Sequence, residues 1–161
     1  MKILILGASY GSLLSTKLLM AGHDVTLICR SKSAALINDE GTEVRIKLRD
    51  EDSHRAFRSH DLAGTLDAVT PADARPEDYD MISLAMQEPQ YSEPQVRDLM
   101  QRIAASRKPC LSIMNMPPLP FLRRIDALAE APLDMCYDDA SVWADFEPGL
   151  MSLCSPDPQA F

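Results

Sequence analysis

Residues 3–32 read ILILGASYGSLLSTKLLMAGHDVTLICRSK, and this stretch decides the fold. Ile3–Leu6 is a continuous apolar run, the signature of a strand buried on both faces of a parallel sheet. It breaks into Gly7-Ala8-Ser9-Tyr10-Gly11-Ser12, and a helical pattern follows at once. Leu14, Leu18 and Ala21 recur at spacings of four and three, which leaves Ser15, Thr16 and Lys17 for the other faces. Gly22 supplies a left-handed residue where such a helix ends. His23-Asp24 then turns the chain into Val25–Cys29, a second β-branched and apolar strand. Strand, glycine loop, helix and strand within about 30 residues make a βαβ unit with a right-handed crossover.

A glycine loop between a strand and a helix has a chemical use. Bare glycines let the backbone approach a pyrophosphate, and the unpaired N–H groups at the helix start point positive charge at it. Ser9 and Ser12 add hydroxyls there. The same turn also serves as a plain strand-to-helix connection with no ligand, and the string alone leaves both readings open. The residue closing the second strand selects the dinucleotide, because a carboxylate there holds the adenosine ribose of NAD. This chain has Cys29-Arg30-Ser31-Lys32 instead, with no acid before Asp39. Two cations and a hydroxyl suit a 2′-phosphate, so NADP is the expected cofactor. A solvated Arg and Lys at a strand end is the other reading.

Outward from this unit, Ser33 is a cap candidate for a short helix over Ala34–Ile37, ended by Asp39-Glu40-Gly41. Val44, Ile46 and Leu48 alternate with Arg45, Lys47 and Arg49, as in a strand with one wet face. Asp50–His60 reads as a loop or hairpin connection, and Gly64–Thr70 as a short strand. Met81–Met86 is another buried strand. Ser92 and Pro94 open a helix whose Val96, Leu99, Met100 and Ile103 share one face. Cys110–Met114 is a strand broken by Asn115-Met-Pro-Pro118. Leu122, Ile125 and Leu128 suggest a helical stripe, and Leu133–Tyr137 and Ser141–Trp143 short strands. The pattern predicts one α/β domain over 1–150, Rossmann-like and doubly wound, with a mostly parallel sheet and helices on both faces. Residues 151–161 read as a tail or the start of a linker.

Among the 161 residues, 24 acidic against 16 basic side chains give a formal charge of −8, which argues against nucleic acid or an anionic membrane as partner. The apolar runs are far too short for a membrane span. Cys29, Cys110, Cys136 and Cys154 form no close pair and read as four buried thiols, which suits a cytoplasmic location. His23, His54 and His60 supply no metal-ligand spacing, so no metal is expected. Asp138, Asp139, Asp145 and Glu147 lack the alternation of a cation loop and read as solvated acids. Met81, Met86, Met100, Met114 and Met116 take core-like positions, and Trp143 packs in a core or a domain interface.

The string MKILILGASYGSLLSTKLLMAGHDVTLICRS, with Asp78-Tyr-Asp80 and Ser112-Ile-Met-Asn115, resembles the ketopantoate reductase (2-dehydropantoate 2-reductase) family. There MKI…GAGAxGSLLA…L…AGHDVTLVAR is usual. The resemblance implies hydride transfer from NADPH to a 2-keto acid or related small carbonyl substrate, with a homodimer left open. Gly7 and Gly11 would lie on the pyrophosphate with Ala8, Ser9, Tyr10 and Ser12 around it, and Met86 at the coenzyme. Arg30 would meet the 2′-phosphate, flanked by Ser31 and Lys32. Asn115 would stand beside the nicotinamide and substrate. The glycine loop is one residue shorter than the family's, which puts Ser9 in place of the second glycine. The family's proton-donating lysine falls on Gln87, which can hydrogen-bond a carbonyl but cannot deliver a proton. The family also closes its site with a C-terminal helical domain, so a domain-only chain is expected here. A non-catalytic nucleotide-binding or sensing module is the alternative function.

Overall fold

The computed structural model describes residues 1–48, 51–113 and 116–154. Eight strands alternate with helices and turns: β1 (Lys2–Leu6), β2 (Asp24–Ile28), β3 (Glu43–Lys47), β4 (His54–Arg58), β5 (Leu66–Val69), β6 (Met81–Leu84), β7 (Cys110–Ser112) and β8 (Met151–Leu153). Six of them form one sheet in the order β5-β2-β1-β6-β7-β8, every pairing parallel. The two others form an antiparallel hairpin, β3 against β4, which resolves the expected loop or hairpin connection. The expected domain boundary at 150 falls one residue before β8, so the sheet continues past it.

The sheet is buried on both faces because successive side chains point opposite ways. Ile3, Ile5, Val25 and Leu27 pack with Leu19 of α1 (Ala8–Met20) and Ala34 of α2 (Ser31–Glu40). Leu4, Leu6, Ile82 and Leu84 face the other layer, where α3 (Pro94–Ser106) contributes Val96, Leu99, Met100 and Ile103. This is the doubly wound arrangement that the alternation of apolar runs implied. Trp143, 1% exposed, sits at the centre of an aromatic group with Tyr91, Tyr137 and Phe146, at centroid separations of 5.4, 6.4 and 5.7 Å.

Several local expectations give way. In α1, Ser15 and Thr16 face the sheet and are fully buried, while Leu14 and Leu18 are only partly covered. Both hydroxyls donate to the Ser12 carbonyl, at 2.9 and 2.8 Å, so the polar atoms are satisfied inside the helix. The helix α2 begins at Ser31 with Arg30 as its N-cap residue, which puts Ser33 inside the first turn instead of at the cap. The stripe Leu122–Ile125–Leu128 is not one helix. A single turn, Leu119–Leu122, is followed by 3-10 turns, and Ile125 is exposed. Leu133–Cys136 and Ala140–Trp143 are 3-10 turns too, not strands. Of the four cysteines, only Cys110 is buried, and burial pushes its thiol up to about 12. Cys29 is half-buried, and Cys136 and Cys154 are exposed.

Two of the late acids are paired. Asp139 accepts from Ser141 and Arg97, which in that order hold its carboxyl below the usual range, and Glu147 bonds Arg107. Among the described residues, no group of three His, Cys, Asp or Glu is placed to hold a metal ion. No described helix is long and apolar enough to cross a membrane.

Candidate functional site

The register of the sheet assembles the site. Leu6 pairs with Ile28 and with Leu84, and Ile28 pairs with Val69, so β1, β2, β5 and β6 end level with one another. The residues that follow each strand therefore meet at one edge. The chain winds outward in opposite directions from β1 and β6, and in open α/β sheets the crevice at that switch point is where ligands bind. Here it holds a cleft of about 960 Å3, within the range of small-molecule sites.

Gly7 forms its floor. Its backbone lies at φ 102°, ψ 109°, a conformation open to glycine, and its N–H donates to Ile28 O at 3.1 Å. A Cβ built there would stand 2.7 Å from Ala85 O and 3.0 Å from Met86 Cγ. β1 and β6 thus converge at Gly7 as closely as backbones allow. The connection to α1 is this single residue, because the helix already starts at Ala8.

Both helices that open on the cleft lack side-chain caps, and neither has an acidic residue in its first turn. The first N–H groups of an α-helix have no intrahelical partner, so those of Ala8, Ser9 and Tyr10 and those opening α2 keep their partial positive charge. Arg30 extends from the cap position of α2 and is exposed. Opposite, the backbone after β6 is anchored by Tyr91, whose buried Oη accepts from Met86 N at 3.1 Å. Burial raises the pKa of that phenol, so it stays protonated. Gln87 follows, and its Nε2 donates to Tyr10 Oη at 3.2 Å across the cleft.

Of the residues expected at the site, Gly7, Ala8, Ser9, Tyr10, Arg30, Ser31, Met86 and Gln87 all line the cleft. Gly11, Ser12 and Lys32 do not line it. A Cβ on Gly11 would come 2.8 Å from Ile5 Cγ2, so its bareness serves the contact between α1 and the sheet. The Ser12 hydroxyl donates to Ala8 O, one turn back, and Lys32 lies in the exposed first turn of α2. Asn115 lies outside the described residues. Sequence reasoning missed Ser33, Thr70, Pro71 and Ala72, together with Gln90, Glu93, Gln95 and Val96 around the start of α3. Thr70 follows β5, and it reaches the same edge because β5 lies parallel beside β2.

Comparison with known proteins bears on the family and the fold. The family model of the ketopantoate reductase PanE/ApbA matches residues 3–115. No curated protein matches the chain. A crystal structure from Ralstonia solanacearum MolK2, assigned as a ketopantoate reductase, superposes with a TM-score of 0.64 at 18% identity, covering 95% of this chain and 44% of that one. A Bacillus subtilis structure assigned as 2-dehydropantoate 2-reductase gives a TM-score of 0.47 at 22% identity, covering 81% of this chain and 38% of that one. The chain thus spans less than half the length of either solved structure. The likeness to the Ralstonia structure extends the shared fold beyond the residues that the family model matches. With 113 of its residues inside that model, and with the glycine turn, parallel sheet and switch-point cleft in place, the chain belongs to the ketopantoate reductase family.

Proposed function

We propose that the cleft binds NADP(H), and that the domain is the coenzyme-binding part of an oxidoreductase acting on a 2-keto acid or related carbonyl compound. One observation carries the reading. Two uncapped helix starts, an exposed arginine and a glycine that admits no Cβ converge on a cleft at the switch point of a parallel sheet. A dinucleotide suits this chemistry. Its diphosphate would take the N–H groups of Ala8, Ser9 and Tyr10, with the Ser9 hydroxyl beside them. Gly11 and Ser12 would act from behind, by setting how closely α1 approaches the sheet. Arg30, Ser31 and Lys32 would hold the 2′-phosphate, where a guanidinium gives two parallel charge-assisted bonds. Met86 would form the apolar wall, and Gln87 and Asn115 the substrate side. When bound, the coenzyme supplies a hydride. The chain's own residues position it.

Family membership supports the coenzyme and the keto-acid class. The substrate's identity and the rest of the site belong to the same proposal, since the similar structures are more than twice as long as this chain. Fluorescence titration of the purified chain tests the reading. NADPH is expected to bind in the micromolar range and NADH at least tenfold more weakly. Binding of neither coenzyme would contradict the proposal.

A further inference from the structure

We propose that Tyr10 is the proton donor of this cleft and that Gln87 orients it. The inference rests on the reductase reading above and assigns the proton that carbonyl reduction requires. Tyr10 stands in the first turn of α1, and Gln87 directly after β6, so their 3.2 Å hydrogen bond joins the two walls of the crevice. A phenol has one proton to give and lone pairs with which to accept. The Gln87 amide N–H occupies the accepting side, which leaves the Tyr10 hydroxyl proton for an acceptor inside the cleft.

Among the described groups lining the cleft, Tyr10 alone carries a phenol. Glu93 carries a carboxyl at the N-cap of α3. Arg30 carries a guanidinium, which does not release its proton in proteins. Burial pushes the half-buried Cys29 thiol up. The remaining hydroxyls belong to serine and threonine, far weaker acids than a phenol.

The step balances as follows. The carbonyl carbon accepts a hydride, two electrons and one proton, from a reduced nicotinamide, which is thereby oxidised. The carbonyl π pair moves to oxygen, which takes the proton from Tyr10 Oη as the phenolic O–H bond breaks. An alkoxide is a much stronger base than a phenolate, so this transfer runs downhill. Tyr10 is 58% exposed, and water reprotonates the phenolate.

The test compares the full chain with Tyr10→Phe, Gln87→Ala and Gln87→Glu. It measures NADPH affinity, single-turnover reduction of a panel of 2-keto acids, and the 13Cζ tyrosine spectrum of the NADP+ complex with and without oxamate. Tyr10→Phe is expected to keep NADPH affinity within about twofold. Hydride transfer should fall by roughly 100-fold or more, the usual contribution of a general acid. The Tyr10 resonance, identified by its loss in Tyr10→Phe, should move when oxamate is added. Gln87→Glu should be more damaging than Gln87→Ala, because a carboxylate accepts the phenolic proton and ties it up, whereas the shorter side chain only releases it. A purely structural glutamine predicts the opposite order.

Undiminished reduction by Tyr10→Phe would overturn the proposal, as would a Tyr10 signal indifferent to oxamate. A chain that binds NADPH but whose Tyr10 resonance ignores oxamate would overturn the proton donor and leave the coenzyme site standing. A chain that binds no NADPH would bring down both.

Discussion

Replacing Gly7 with valine is expected to cost the fold about 3 kcal/mol or more and to abolish dinucleotide binding. Two independent effects add. At φ 102° any side chain is strained, on the order of 1–3 kcal/mol. The new Cβ would also lie 2.7 Å from Ala85 O and 3.1 Å from Ala85 C, which are backbone atoms that no rotamer change can move. β6 must then retreat from β1, and its retreat disrupts the Ala85 N to Leu6 O bond of 2.9 Å and the wall that Met86 and Gln87 form. For a domain of this size, thermal denaturation should shift down by about 6–12 °C. Gly22→Ala separates the two effects. Gly22 also has positive φ, 78°, but nothing lies within 4 Å of its Cβ position, so only the conformational cost of about 1 kcal/mol applies. A Gly7→Val protein as stable as Gly22→Ala would show that the close approach of β1 and β6 does not constrain the cleft.

The second large effect concerns the choice of coenzyme. Arg30→Ala should weaken NADPH binding by roughly 10- to 100-fold, the worth of a charge-assisted hydrogen bond of about 1.5–3 kcal/mol. NADH binding should barely change. Folding should be untouched, because Arg30 is exposed and its side chain makes no capping bond to α2. Arg30→Glu should go further, since a carboxylate repels a 2′-phosphate and accepts bonds from a ribose, so the preference should turn toward NADH. Parallel titrations of each variant with both coenzymes measure the effect. An equal loss for both would mean that Arg30 meets the diphosphate, or supports the loop, without reading the extra phosphate.

The physical reasons for legibility differ along the chain. β1, β2 and β6 were readable because a strand covered on both faces is apolar at nearly every position, with Thr26 and Ser83 the buried polar exceptions. The glycine turn was readable for a related reason, as Gly7 stands where only an absent side chain fits. The buried face of α1 was misread because Ser15 and Thr16 satisfy their hydroxyls on the Ser12 carbonyl and so enter the core without penalty. The region after Leu119 resisted reading because its order comes from tertiary contact. Trp143 is held by Tyr137 and Phe146 nearby and by Tyr91 from a distant part of the chain, and short 3-10 turns carry no period to detect.

At the site, the glycine-loop residues and Arg30 lie on contiguous sequence around β1 and β2, so local pattern sufficed to name them. Thr70 and Glu93 reach the cleft only through strand order, which one sequence does not display. Gly11 shows the converse, a residue whose pattern suggests a ligand and whose neighbours show helix packing. The bond between Tyr10 and Gln87, 77 residues apart, had no signal in the chain at all.

The most direct measurement is a crystal structure of this chain grown with NADP+. The diphosphate is predicted to lie against the N–H groups of Ala8, Ser9 and Tyr10, with the 2′-phosphate on Arg30. Density for the coenzyme elsewhere, or a cleft closed by the side chains of Ser9 and Tyr10 at saturating coenzyme, would contradict the account and leave only the fold.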